Sequence, residues 1–467
     1  MTRRVVVVGG GISGLAAAWE LSGAVHSPTD PLEIVVLEGS DRLGGMLRSD
    51  DLAGRVVDMG ADGFLGRRPE AIELCREVGL EDMLVPIAAR GASVWSRGRL
   101  RVLPAGHAMG IPTRFWPTAR SGVLGVRGSM ALARDALLPR PDVRGPIGDR
   151  AIGPLVARKL GRTVVDQLAD PLIGGIHAGS VDDMSAAAVF PPLLAAAHRR
   201  GSLMRALRAE TPEPDPDGPP LFWAIKGGMV ALVGALSAVL ERRGVKLVVS
   251  SSVESLQRDG NSWALTGAHS VRADAVVLAL AAPVAARLLQ PHDDEAAALL
   301  TAIDYASVTV VTFRAPDDCV PSELFGTGFL VPRRSVPKGR EQWAVTACTY
   351  LDRKWPHLAR EGEVLLRASL GRIDDARADE WSDADCAARA WEELGALAGV
   401  TGQPTEWTVV RHPQAFPQYR VHHLLRTAGV EAAVARLGGL AVAGSAYRGV
   451  GIPACIASGR AAARAVS

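Results

Sequence analysis

Cysteine is scarce and scattered in this chain of 467 residues: Cys75, Cys319, Cys348, Cys386 and Cys455 are odd in number and never fall into C-x-x-C spacing. That excludes a disulfide framework and gives no support to a zinc site, so buried thiols and no metal are expected. Aromatic residues make up only 5%, with four tyrosines. No apolar run approaches the roughly 18 residues that crossing a bilayer requires. The first strand-like run starts within four residues of Met1, which leaves no room for a signal peptide and points to the cytoplasm. The net charge of +2 argues against general nucleic-acid binding. What is present is globular, 48% hydrophobic and 22% charged, with enough length for two or three domains.

Lysine and glutamate are missing altogether between residues 90 and 150, where eleven arginines face only Asp135, Asp142 and Asp149. The segment therefore carries +8 and the rest of the chain −6. With Trp95, Met109, Ile111, Phe115 and Trp116 interleaved, it suits either peripheral contact with an anionic membrane or a plain solvated surface.

The strongest positive signal lies at the start. Four valines, Val5 to Val8, run into Gly9, Gly10, Gly11, Ile12, Ser13 and Gly14, and a helix-like stretch follows. This is a dinucleotide fingerprint: the first glycine permits the turn, the second lets the backbone approach a pyrophosphate, and the third allows helix and strand to pack closely. A second strand, Glu33 to Leu37, ends at Glu38, whose carboxylate suits a ribose 2′-OH and repels a 2′-phosphate. FAD or NAD is thus favoured over NADP. Gly39, Arg42, Gly44 and Gly45 then turn the chain back towards the dinucleotide, and Gly60, Ala61, Asp62 and Gly63 offer another small-residue approach. At the far end, the strand-like run 438–444 finishes at Gly444, and Val450, Gly451, Ile452 and Pro453 open a helix whose free N–H groups can face an electron-rich ring.

The Arg-x-Gly-Gly segment behind Glu38 resembles that of the flavin-containing amine-oxidase-like superfamily, which implies FAD, one per chain. No tethering motif is visible, so binding is expected to be noncovalent. A narrower resemblance spans nearly the whole chain and rests on 60–69, 104–112, 170–179, 328–332, 416–419 and 447–453. These segments are similar to the oxygen-dependent protoporphyrinogen and coproporphyrinogen III oxidases, specifically the Gram-positive, actinobacterial type. That resemblance implies a six-electron oxidation of a porphyrinogen in three rounds of hydride transfer to flavin N5. O2 would reoxidise the flavin each time and three H2O2 would result, in haem biosynthesis. The porphyrinogen and O2 would be the small-molecule partners, a ferrochelatase contact would follow, and the chain would be a monomer or a homodimer. It also implies that Val253 meets the adenine through its backbone, against the alternative of an ordinary strand-edge valine.

A substrate that is an apolar disc with carboxylates suggests Arg67 and Arg68 as propionate partners, and Pro171, Leu172, Gly174 and Gly175 as places where backbone approaches the macrocycle. The competing readings are a surface arginine pair and a helix-breaking glycine turn. No catalytic dyad is visible, which suits chemistry carried by a cofactor. Three histidines depart from the family pattern: His177 where tyrosine is usual, His412 where tryptophan is usual, and His422 in place of a glycine before His423.

The expected fold is α/β: a Rossmann-type FAD-binding domain assembled from 1–87, 221–292 and 436–467, a helical arginine-rich subdomain over 88–210, and an α+β substrate-binding domain with an antiparallel sheet over 293–435. A proline- and acid-rich stretch at 210–220 reads as an exposed loop. Four other activities share parts of this reading. They are a protoporphyrinogen IX oxidase, an amine oxidase, disfavoured by few aromatics, a carotenoid-type desaturase, and a porphyrin carrier that keeps FAD without turnover.

Overall fold

Val5, Val6 and Val7 are wholly excluded from solvent, as a strand buried on both faces must be. They form the middle of Arg3–Val8, the central strand of a five-stranded sheet. In this computed structural model, residues 2–23, 32–137, 148–199, 201–211, 218–335 and 342–467 are described. They divide into two compact units: one of 1–86, 220–304 and 424–467, the other of 87–219 and 305–423.

In the first unit the sheet runs Lys246–Val248, Leu32–Leu37, Arg3–Val8, Ala275–Leu278, Leu440–Val442, and every neighbouring pair is parallel. The helices Ile12–Gly23, Met229–Arg242 and Ile452–Val466 belong to the same unit. The first and last of them meet at Gly459, where an added Cβ would lie 2.0 Å from the Ser13 carbonyl oxygen. Only a residue without a side chain allows that approach. Among the described residues three small antiparallel sheets complete the unit, one of Val253–Asp259, Ser262–Gly267 and Val271–Ala273, one of Phe64–Leu65, Phe222–Ile225 and Leu84–Pro86, and one of Ser49–Asp51 and Val56–Asp58.

The second unit is built on a seven-stranded sheet in the order Glu406–Pro417, Tyr305–Pro316, Glu363–Leu370, Val345–Tyr350, Gly328–Leu330, Ser93–Ser96, Arg99–Val102. All its pairings are antiparallel except that of Gly328–Leu330 with Ser93–Ser96. The last hairpin corrects the expectation that 88–210 is helical throughout: Val94 and Ser96 are buried in alternation with Trp95 and Arg97, which is strand periodicity. Helices take over only from Phe115–Arg120 onward. The unit boundaries, 304/305 and 423/424, also differ from 292/293 and 435/436, because Asp294–Thr301 and all but the first residue of His423–Leu437 belong to the first unit. Of the loop expected over 210–220, residues 212–217 lie outside the described residues.

All five cysteines are free and buried. Burial pushes the Cys75 thiol up to about 12, so these are inert packing groups.

Candidate functional site

The strand Arg3–Val8 delivers its chain into a turn that only glycines fit. Gly9 has φ +105°, and a Cβ there would lie 2.3 Å from the Ala279 carbonyl oxygen. A Cβ on Gly14 would lie 1.9 Å from the Gly9 carbonyl oxygen. Gly11 differs, since its nearest neighbour would be the Gly45 Cα at 4.0 Å. Nothing in the protein therefore requires glycine at 11. A group coming close to that backbone would, and the first turn of Ile12–Gly23 has N–H donors that no carbonyl of the helix can reach.

Glu38 stands at the end of Leu32–Leu37. Its Oε2 accepts from the Gly10 amide at 2.6 Å, and its Oε1 accepts from the Ser40 amide and hydroxyl at 2.8 Å each. These bonds fix the carboxylate at the wall of a cavity of about 490 Å³. Gly9, Gly39 and Val253 share that wall with Ser251, Ser252, Leu280 and Arg287. Val253 is carried there by a turn whose Ser250 and Ser251 amides donate to the carbonyls of Ser40 and Glu38, both at 2.7 Å. The sequence analysis missed Ser251, Ser252, Leu280 and Arg287. Three successive serines after the strand at Lys246–Val248 were the available signal. An acid fixed beside a glycine turn and a helix N-terminus, in a cavity of this size, fits the adenosine and pyrophosphate of a dinucleotide.

Arg42 is held by its own turn, donating to the carbonyls of Gly45 at 2.7 Å and Leu47 at 3.1 Å. That turn is tied to the fingerprint by the Gly44 amide, which donates to the Gly10 carbonyl at 2.9 Å. The next segment is anchored by Asp58, also missed in the sequence. Its Oδ1 accepts from the Met229 amide at 2.7 Å and the Ser49 hydroxyl at 2.5 Å, capping Met229–Arg242 and leading into Gly60, Ala61, Asp62 and Gly63.

At the C-terminal end, the Gly444 amide donates to the Ser458 hydroxyl at 3.1 Å, and Gly451 precedes the helix Ile452–Val466 with Pro453 in its first turn. Val450 and Ile452 flank that start. Burial pushes the Cys455 thiol up to about 11, opposed by the Ser13 hydroxyl and the charge of Arg68. A Cβ on Gly449 would lie 3.8 Å from Arg68 Nη1. The fingerprint helix, Arg68 and the start of the last helix therefore meet at one corner of this unit. Arg68 also donates to Glu70 at 2.8 Å, whereas Arg67 is exposed and has no side-chain partner among the described residues.

In the second unit, Leu172 and Gly174 lie in a wide π-helical coil, Val165–Gly174, which continues into Gly175–His177. Gly174 and Gly175 both have helical dihedrals, so the helix-breaking glycine turn is absent. The break falls at Ala178, at φ +49°. A π-helical stretch is costly to maintain and marks functional sites more often than chance. Here it is held by Asp170, which is buried. Asp170 Oδ1 accepts from the Val181 amide at 3.1 Å and Oδ2 from Arg333 Nε at 3.4 Å, and Arg333 Nη2 donates to the Gly179 carbonyl at 2.7 Å. Arg333 also pairs with Asp374.

The three unusual histidines sit differently from one another. His422 is exposed, at φ +69°, in the left-handed region that glycine adopts at the least cost. His412 is buried in the strand Glu406–Pro417. His177 is buried with its ring 5.8 Å from that of Tyr419, which stacks on His423 at 3.9 Å. Desolvation holds the His177 imidazole down to about 4, against about 6.5 in the unfolded chain. On acidification the unfolded chain takes up this proton first. The stability that His177 contributes in full above pH 6.5 is therefore lost as pH falls towards 4, by about 3 kcal/mol at the lower end. His177→Phe should flatten that part of the stability–pH curve in denaturant titrations. An unchanged slope would assign the acid sensitivity elsewhere.

Comparison with known proteins agrees with this geometry. Residues 12–467 match the family model described as flavin containing amine oxidoreductase. The chain is 32% identical over 466 residues to the coproporphyrinogen III oxidase of Bacillus subtilis (strain 168), covering 98% of this chain and 97% of that one. It is 36% identical over 465 residues to the coproporphyrinogen III oxidase of Mycobacterium tuberculosis (strain ATCC 25618 / H37Rv), covering 98% and 96%. A crystal structure from Exiguobacterium sp. 255-15, provisionally called a protoporphyrinogen oxidase, superimposes with a TM-score of 0.88 at 30% identity and covers 99% of this chain and 98% of that one. A glycine cradle beside a fixed acid, and likeness that runs from the first helix to the last, place this chain in the flavin containing amine oxidoreductase family.

Proposed function

We propose that this chain is an FAD-dependent oxidase that converts coproporphyrinogen III to coproporphyrin III, consuming three O2 and releasing three H2O2. The observation that carries the reading is likeness over almost the full chain to coproporphyrinogen III oxidases, at 32% and 36% identity. The unit made of 1–86, 220–304 and 424–467 is assigned to FAD binding, noncovalently. Gly9, Gly10, Gly11, Ile12, Ser13 and Gly14 receive the pyrophosphate, Glu38 the ribose and Val253 the adenine. Gly444, Val450, Gly451 and Ile452 form the seat of the ring system. When bound, FAD supplies the two-electron acceptor.

What the chain itself must do is hold an apolar macrocycle and its acidic arms. Arg67 and Arg68 are the proposed propionate partners, Arg67 with its guanidinium uncommitted and Arg68 in exchange with Glu70. Leu172, Gly174 and Gly175 are the proposed apolar contacts. No residue is required to act as a proton donor or base.

Aerobic assay of the purified flavoprotein with copro- and protoporphyrinogen, following porphyrin fluorescence and peroxide together, tests the reading. Preference for the tetracarboxylate supports it. Preference for the dicarboxylate assigns a protoporphyrinogen IX oxidase, and failure of either to reduce the flavin anaerobically assigns a carrier. Arg68→Ala should raise KM for the tetracarboxylate more than for the dicarboxylate, and equal losses would remove Arg68 from the substrate site.

A further inference from the structure

The cavity beside Glu38 carries a cation that the protein itself leaves unused. Resting on the assignment of this unit to FAD, we propose that Arg287 clamps the adenine end of the dinucleotide, its flat guanidinium lying on the purine face, and thereby makes the chain select FAD over the mononucleotide FMN.

Arg287 is brought to the cavity by a stretch of chain fixed at both ends. At one end Leu280 abuts the glycine turn, since a Cβ on Gly9 would lie 3.3 Å from its Cδ2. The helix Ala282–Leu289 follows. Beyond it, His292 Nε2 lies 2.7 Å from the Leu256 carbonyl oxygen, within the strand Val253–Asp259. The helix therefore runs from the pyrophosphate side of the cavity towards the strand that carries Val253. At 1.5 Å of rise per residue, Arg287 stands roughly 7–8 Å along it from Ala282, past a ribose held by Glu38 and level with the base. Val284 and Leu288 are one turn apart on the same side of the helix, with Arg287 beside them, and all three line the cavity. They present an aliphatic wall with one cation on it. The opposite wall is brought close at Gly39, where an added Cβ would lie 3.6 Å from the Ser252 Cα.

No acid on these walls engages the cation. Glu38 spends its carboxylate on the Gly10 amide and on the Ser40 amide and hydroxyl. Glu254 also lines the cavity, yet Arg287 forms no ion pair or hydrogen bond with it or with any other of the described residues. The Arg287 side chain is exposed. A guanidinium is weakly hydrated on its two faces and can keep its N–H donors in water while a ring covers one face. A purine is such a ring, and stacking of this kind is a recurrent way of holding a base. A phosphate would attract the same charge, but the amides that suit the pyrophosphate lie at the other end of the cavity, in the first turn of Ile12–Gly23.

Titration of the flavin-stripped full chain with FAD and with FMN, followed by quenching of flavin fluorescence, tests this. R287A should bind FAD about tenfold more weakly than the wild type and FMN equally well. R287K, which keeps the charge but not the flat group, should bind FAD about threefold more weakly. The denaturant midpoints of the three apoproteins should coincide, which shows that the variants fold. Equal FAD affinity of the wild type and R287A overturns the proposal, and so does a parallel loss of FMN. R287K that matches the wild type also overturns it, assigning Arg287 to charge attraction alone. A wild-type chain that takes up no FAD overturns the FAD assignment itself, an outcome distinct from any difference between the variants.

Discussion

Gly11→Ala should give a protein that folds normally and is nearly colourless, while Gly14→Ala should lose both flavin and stability. The contrast follows from what each added methyl meets. At Gly11 the nearest atom is 4.0 Å away, ordinary contact, so the protein itself has room. The methyl instead occupies the approach of the pyrophosphate to the helix N-terminus. Losing two charge-assisted hydrogen bonds at about 1.5–3 kcal/mol each weakens binding by roughly 10²- to 10⁴-fold. At Gly14 the methyl would lie 1.9 Å from the Gly9 carbonyl oxygen, and Gly9 cannot yield because Ala279 confines it. Overpacking of that kind costs about 1–3 kcal/mol in the protein alone. Flavin content and denaturant midpoints of both apoproteins, measured side by side, decide the matter. If Gly11→Ala retains flavin, the cradle does not bind a pyrophosphate.

Arg333→Ala should be the most damaging single change in the second unit. Arg333 and Asp170 have side chains only 13% and 9% exposed. Removing the guanidinium strands a buried carboxylate, at a cost of about 3–5 kcal/mol against a total stability of about 5–15 kcal/mol. Burial already raises the Asp170 carboxyl, opposed by Arg333, the Val181 amide and Arg372. Without Arg333 it rises further, and the folded chain then binds this proton more tightly than the unfolded one. The variant should therefore regain part of its stability as the pH falls, the opposite of the His177 trend. In the double variant Asp170→Asn/Arg333→Ala the loss should be smaller than the sum of the single losses. Additive losses, or no recovery in acid, would mean that the pair does not hold the π-helical coil.

The parts of the molecule legible in the sequence are those whose physics is local. Val5 to Val8 and the glycines after them state a strand, a turn and a helix start within ten residues. Glu38 is readable because a strand ends just before it. The π-helical coil was not legible, since its apolar spacing is close to that of an ordinary helix and its cause, Asp170 tied to Arg333, spans 163 residues of chain. The hairpin 93–102 was hidden for a similar reason: its partner strand, Gly328–Leu330, is three residues long and far away. Asp58 gave no signal because the helix that it caps begins 171 residues further on. Arg42 was placed in the right turn, yet the carbonyls that occupy it belong to that turn's own fold.

The meeting of Ser13 with Gly459 bears on how the molecule is made. Arg3–Val8 has both of its neighbouring strands once residue 278 is made, but the Ser13–Gly459 contact that packs Ile12–Gly23 against Ile452–Val466 waits for the last helix. A nascent chain halted before Leu440–Val442 would therefore offer chaperones the open β-edge of Ala275–Leu278.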